Sequence, residues 1–409
     1  MASITEAAGA PRASDARVIG LVSAAHFMSH VYILTLPPLF AYVQKDYGVS
    51  YGELALALAA FNTVSATLQA PAGFLVDRWG PDRLLIGGLT LGALALAGAA
   101  FVPFYWALVI FFALGGLANT VFHPADYSIL AHSIAAKRIG TAFSIHTFSG
   151  LLGTAAAPVT MLTTAWLWGW RGAFLAVAAV GLMVSLVLIA DRRVLAAAHA
   201  ARKQRSAGLS ARESWRLLRS PVILRNLLFF LLLALCSSGM WSFTIVALGA
   251  LYGTPLSIAS TALTIYLVMA ALGVLAGGFI ADRTRRHAFV AASGLAVGAV
   301  AIFAVATIGY NIWFLIPAMI VAGLTNGVIQ PSRDMIVRSV TPPGSVGKVF
   351  GFVTAGFNIG GVVGPLVYAF MMDHGMPRAV FLTVAALGLV SLATIMMPAG
   401  RVAAAVPAE

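Results

Sequence analysis

The sequence predicts an all-α membrane protein: twelve transmembrane helices in two pseudo-symmetric six-helix bundles. Three observations predict it. The 409 residues are 60% hydrophobic and 9% charged, against about 25% charged residues in ordinary soluble domains. The apolar residues fall in blocks of roughly 20 or more, each long enough to cross a bilayer as a helix. The second half of the chain also repeats the first at an offset of about 205–207 residues. Helices are expected because lipid offers the backbone no hydrogen-bond partner, and the long alternation of an outer-membrane barrel is absent.

In order, the spans lie near 18–43, 52–76, 83–103, 105–133, 140–163, 172–191, 223–249, 258–281, 287–307, 312–339, 346–371 and 378–398. The first is too long for a signal peptide and lacks a small-residue cleavage site, so it counts as a mature span. Cys236 is the single cysteine, which excludes an internal disulfide. Of the 25 Lys and Arg residues, 21 fall in the termini and alternate loops, including the long central one. Only Lys45, Arg171 and Arg378 occupy the opposite loops, and Arg333 lies inside a span. The positive-inside rule then puts both termini and the 192–222 loop in the cytoplasm, with a multi-pass bacterial inner-membrane protein as the expected location. The net charge of +12 reads as an orientation signal and a contact with anionic lipid, not as nucleic-acid binding. The expected organisation is an N-terminal six-helix bundle (1–191), a basic cytoplasmic linker (192–222) and a C-terminal six-helix bundle (223–409).

The repeat is visible in three places. "GLANTVFHPADYSI" (116–129) aligns with "GLTNGVIQPSRDMI" (323–336), sharing Gly116, Leu117, Asn119, Val121, Pro124 and Ile129. "AGFLVDR" (72–78) aligns with "GGFIADR" (277–283), and "GLLGTAAAP" (150–158) with "FNIGGVVGP" (357–365). Two repeated halves joined by a basic loop point to a transporter whose site lies between them near mid-membrane.

"GFLVDRWGPDRL" (73–84) resembles the signature loop between helices 2 and 3 of the major facilitator superfamily, with Gly73, Asp77, Arg78, Gly80 and Arg83 at the matching places. "GFIADRTRRH" (278–287), with Asp282 and Arg283, is similar to the weaker second copy. The resemblance covers essentially the whole chain and implies the major facilitator fold and alternating access. "AAHFMSHVYILTLPPLF" (24–40) and "FHP" (122–124) are similar to fosmidomycin-resistance-type efflux proteins, which carry an acidic residue near the place of His30. Those signature residues would form a cytoplasmic gate. Asp77 would accept hydrogen bonds from the start of a neighbouring helix, and Arg78 and Arg83 would reach a carboxylate on another. The competing reading is a topology marker. "SGLLGTAAAP" (149–158) partly matches a motif associated with antiporters of this superfamily, through Gly153 and Pro158; its small residues allow close helix contact. The arginine usual in span four of proton antiporters is absent.

Asn119, His123 and Asp126 share one helical face, with His123 about 6 Å and Asp126 about 10 Å further toward the cytoplasm. Pro124 is expected to kink the span. Asn326, Gln330 and Arg333 occupy the matching face of span ten. Intramembrane polar groups are costly and by default mark a pathway. Asp126 reads as a latch partner of Arg78 or Arg83, a proton carrier, or a satisfied interface residue. Arg333 reads as an anion anchor or a partner of Asp334. His26 and His30 share a face of span one, and His146 lies on span five. With His123 they could titrate between about pH 5 and 8 and couple protons, or could simply bond helix to helix. His26, Met28, His30, Cys236 and Met240 would be soft ligands for Cu(I), though methionine in such helices usually packs. Tyr32, Phe61, Trp241, Phe243 and Tyr266 could line a path or pack. No resident metal or cofactor is expected.

"GSVGKVF" (344–350) lacks the spacing of a phosphate loop, and no hydrolytic triad is visible, so an ATP-driven pump or an enzyme is not expected. The expected protein is a secondary transporter that moves a small organic solute by alternating access, coupled to protons and favouring export. Its path would be His26, His30, Asn119, His123, Asp126, Asn326, Gln330 and Arg333, and its partners a small-molecule substrate, protons and the bilayer. It would act as a monomer. The alternatives are uptake of an organic anion or of a metal ion such as copper, and a non-transporting membrane receptor.

Overall fold

The computed structural model describes residues 15–134, 138–196, 217–309, 311–341 and 346–397, without the side chains of Ala70, Asp77, Val346, Gly347 and Lys348. Those residues form helices and no strand, as a backbone shielded from water requires. In chain order the helices are α1 (Asp15–Ile33), α2 (Phe40–Tyr47), α3 (Tyr51–Trp79), α4 (Pro81–Phe101), α5 (Tyr105–Asn119), α6 (Phe122–Ser133), α7 (Ile139–Ala190), α8 (Arg192–Ala196), α9 (Pro221–Tyr252), α10 (Leu256–Arg283), α11 (His287–Thr307), α12 (Ile312–Ser339), α13 (Val346–Asp373) and α14 (Pro377–Met396).

The first apolar block is not one helix. Pro37 and Pro38 interrupt it, and a single 3-10 turn, Pro37–Leu39, leads from α1 into α2. Proline donates no N–H and biases the residue before it away from the helical region. At the start of α3 a capping box forms: the Ser50 hydroxyl accepts from the Glu53 N–H, and the Glu53 carboxylate accepts from the Ser50 N–H. Gly80, at φ 94°, makes the turn into α4, which opens on Pro81. Any Cβ at Gly80 would also stand 2.8 Å from the Asp82 carboxylate.

Helix α7 runs for 52 residues but reverses at Gly169, where φ is 72°, a value that costs glycine little. Ion pairs mark the reversal. Arg138 at its start pairs with Asp15 at 3.0 Å, Arg171 pairs with Asp46 at 2.6 Å, and Asp191 returns to Arg17. Asp15 and Asp191 thus share one end of the bundle, here the terminal end, and Asp46 and Arg171 share the far end. Ten helical stretches are long and apolar enough to cross a membrane. Counting α7 as two crossings and adding α3, which has 29 residues, is consistent with twelve.

Within the first half, α1 packs on α7, α3 on α5, and α4 on both α5 and α7; within the second, α9 packs on α13 and α14, and α12 on α10 and α11. The halves meet where α3 lies against α13 and α7 against α10. The repeat shows in the packing. A Cβ at Gly116 of α5 would lie 2.2 Å from the Phe61 carbonyl oxygen of α3, and one at Gly323 of α12 would lie 2.2 Å from the Tyr266 carbonyl oxygen of α10. In a medium as apolar as leucine, such close approach replaces the hydrophobic effect as the force between helices.

At the far end a carboxylate holds the halves together. Asp373, the last residue of α13, accepts hydrogen bonds from the N–H groups of Tyr51 (2.8 Å) and Gly52 (2.7 Å). Those donors open α3, where N–H groups lack intrahelical partners and the helix dipole is positive.

Two outcomes follow from this packing. Gly116→Ala and Gly323→Ala should each cost about 1–3 kcal/mol through overpacking and lower the melting temperature of the purified protein. Gly20→Ala, with nothing within 4 Å of its Cβ, should leave it unchanged; equal effects at all three would refute the contact argument. Asp373→Asn removes a charge from an exposed cap worth about 0.3–1 kcal/mol. Spin labels at Val49 and Met376, in a Cys236→Ser background, should then show a larger far-end-open population than the unsubstituted protein.

Candidate functional site

The site begins with a break in a helix. The sequence pattern expects Asn119, His123 and Asp126 on one continuous face, but α5 ends at Asn119 and α6 starts at Phe122. Pro124 has no N–H to return to the carbonyl of Thr120, so the helix parts one turn earlier. The break separates the three side chains. Asn119 turns toward α3 and donates to the Ser65 hydroxyl at 2.8 Å, while His123 and Asp126 belong to a second group.

That group is a cluster of four histidines around one carboxylate. Asp126 is fully buried, and its Oδ2 accepts a hydrogen bond from His146 Nε2 at 2.9 Å. The same oxygen lies 3.2 Å from Nδ1 of His26, which is 3% exposed. The His26 and His146 rings stack with centroids 3.7 Å apart. His30 is 4.7 Å and His123 5.4 Å from His26, ring to ring. His30 Nδ1 also lies 2.8 Å from the Thr154 hydroxyl. His123 and Tyr127 are the exposed members. Their rings stack at 5.8 Å, and Tyr127 is 5.6 Å from His146.

Three helices deliver these groups, and glycine makes their convergence possible. A Cβ at Gly150 of α7 would stand 2.6 Å from the His26 ring, and one at Gly153 would stand 2.2 Å from the Phe27 carbonyl oxygen. The Ser149 hydroxyl donates to the Ser23 carbonyl at 2.7 Å, joining α7 to α1. The glycine motif of span five therefore seats α1 close enough for His26 and His146 to share one carboxylate oxygen. Polar satisfaction stops short of complete: Asp126 Oδ1, His26 Nδ1 and His146 Nδ1 are buried without a hydrogen-bond partner.

The coordinating atoms of His26, Asp126 and His146 lie within 4.8 Å of one another, close enough to consider a metal ion. These atoms already engage one another, Asp126 Oδ2 accepting from His146 Nε2 at 2.9 Å. The soft-ligand set expected from sequence is dispersed. Cys236 and Met240 line a space inside the second half together with Tyr266 and Asn326, with no histidine in its lining.

Other expected residues stand as follows. Asp126 faces histidines, so the latch to Arg78 or Arg83 is not formed; both arginines are exposed and make no ion pair with a described residue. The Asp77 side chain lies outside the described ones. The signature loop does supply an ion pair, but from Asp82. This residue, 3% exposed in the first turn of α4, accepts from Arg192 at 2.8 Å. Gly73 lies on α3 with nothing within 4 Å of its Cβ position. Asp282 and Arg283 are exposed at the end of α10, Arg283 lying over the Phe279 ring. Arg333 pairs with its neighbour Asp334 at 2.8 Å and sits over the rings of Phe230 (4.6 Å) and Phe357 (5.1 Å). Gln330 is half-buried one turn before it. Sequence reasoning placed His146 outside the central path and missed Thr154, Tyr127 and Asp82. Tyr127 stands one helical turn after His123 and Asp82 stands inside the quoted signature, so both carried a readable signal.

Comparison with known proteins agrees with this architecture. Residues 22–256 and 230–408 match the family model described as Major Facilitator Superfamily. The chain is 23% identical over 393 residues to the uncharacterized MFS-type transporter YfnC of Bacillus subtilis (strain 168), covering 94% of this chain and 93% of that one. It is 24% identical over 397 residues to the fosmidomycin resistance protein of Escherichia coli (strain K12), again covering 94% and 93%. Its fold is similar to that of a bacterial homolog of the human lysosomal transporter Spinster, in an inward-facing and occupied conformation. The TM-score is 0.77 at 14% identity, over 95% of this chain and 97% of that one.

Proposed function

The chain belongs to the major facilitator superfamily, and we propose that it exports a small organic solute in exchange for a proton held by the Asp126 cluster. The observation that carries this reading is the fully buried carboxylate between two imidazoles. The described residues contain two buried carboxylates, Asp82 and Asp126. Asp82 is neutralised by Arg192 near the terminal end, which leaves Asp126 as the buried acid within the bundle.

The cost of burying an ion explains the coupling. Removing a lone carboxylate from water costs several kcal/mol, and neighbouring hydrogen bonds repay it only where the geometry is complete. Here one carboxylate oxygen is unpartnered, so a proton shared between Asp126 and its imidazoles lowers the cost of carrying the site through a state closed at both ends. His123 and Tyr127, exposed beside the buried trio, form its approach. The Asp373 bonds between the halves at the far end support an opening toward the terminal end, and the distribution of basic residues supports reading that end as cytoplasmic. The exposed Arg78 and Arg83 stand at that end as the cytoplasmic gate. Export fits the name of the resistance protein among the relatives. The protein acts as a monomer, since one chain carries both repeats.

Ethidium and fosmidomycin, a cation and an anion, serve as probes in cells overproducing the protein. At least one should be expelled in a manner abolished by a protonophore. Asp126→Asn should lower that efflux at least tenfold with normal membrane abundance. His123→Gln, the residue already present at Gln330, should fold normally and weaken the dependence on the gradient. Efflux of either probe that persists at full rate in Asp126→Asn would refute the coupling.

A further inference from the structure

Inside the second half, α9, α10, α11, α12 and α14 surround a small space, part of it open to solvent, which proton coupling does not use. Its walls are apolar, with Leu233, Met240, Leu295 and Ile302 among them, and no charged side chain lines it. Thr325 and Cys236 also face it, but both are satisfied, by the carbonyls of Val321 and Val384. Two other polar side chains are not. Tyr266 is 4% exposed, and neither its hydroxyl nor the amide of Asn326 has a hydrogen-bond partner among the described residues.

The repeat makes this pair stand out. In the first half the matching positions are Phe61, Ser65 and Asn119, and Asn119 is satisfied by Ser65 at 2.8 Å. In the second half Ala270 replaces Ser65 and Tyr266 replaces Phe61. The asparagine has no such partner there, and a tyrosine joins it in lining the space. Apolar walls with a few polar groups free to pair are the usual form of a small-molecule site.

We propose that this space is a binding site for a neutral, mostly apolar molecule bearing an adjacent donor and acceptor, such as a carboxamide. The Asn326 amide offers one donor edge and one acceptor edge to such a group, with the Tyr266 hydroxyl as a third contact. A carboxylate or ammonium of the same shape is disfavoured, because the lining offers no counter-charge to a desolvated ion. The proposal goes beyond the transport reading and does not require the bound molecule to be the exported solute.

Cys236 lines the space and is the only cysteine, so its alkylation reports on occupancy. The purified full-length protein is treated with N-ethylmaleimide, with benzamide or benzoate as the probe, and followed by mass spectrometry. Millimolar benzamide should slow alkylation at least threefold, benzoate should not, and Asn326→Leu should remove the protection. Tyr266→Phe, which restores the ring found at Phe61, should weaken protection as well and serves if Asn326→Leu fails to fold. A Cys236 that never alkylates would mean that small molecules do not enter, and would overturn the proposal. So would an absent benzamide effect or equal protection by benzoate. No gradient is involved, so loss of proton coupling and loss of this site are separate results.

Discussion

Everything in the first half is arranged around one interaction: a carboxylate, sealed from water, whose single oxygen meets imidazoles from two other helices. Asp126 on α6, His26 on α1 and His146 on α7 cannot meet without two concessions. The helix carrying Asp126 breaks at residues 120–121, and α7 gives up side chains at Gly150 and Gly153 so that α1 can approach. Both concessions weaken the elements that make them. The break leaves backbone groups short of partners, and the glycines forgo packing. They are intelligible as the conditions for holding a titratable group where lipid would otherwise exclude it.

The two halves share an architecture and divide the chemistry. Where the repeat concerns packing, it is kept to the atom: Gly116 and Gly323 press on the equivalent carbonyls of Phe61 and Tyr266. Where it concerns polar groups, it diverges. The first half has His123 and Asp126 where the second has Gln330 and Arg333, and Arg333 is held by Asp334 between two aromatic rings. The titratable cluster is thus confined to the first half, while the second carries a neutral, half-apolar space.

Composition and periodicity carried most of the fold, because a bilayer admits few solutions for an apolar block of this length. They failed where proline acts locally: the first block divides at Pro37–Pro38, and span four parts ahead of Pro124. The side-chain cluster was partly legible. His26, His30, His123 and Asp126 do come together, since a shared helical face is readable from spacing. What spacing does not reveal is rotation between helices. That is why Asn119 turned away to Ser65, why Asp126 met histidines rather than Arg78 or Arg83, and why Cys236 and Met240 lie apart from the histidines. The importance of His146 depended on glycines one turn further along the same helix, a relation visible only once α1 is laid against α7.

The central claim is that the cluster takes up and releases a proton, and infrared difference spectroscopy of the protein in lipid addresses it without any substrate. Spectra recorded across a pH series should contain a carboxyl or imidazolium band. That band should vanish in Asp126→Asn and be altered in His146→Gln. Wild-type and Asp126→Asn difference spectra that superimpose would contradict the account.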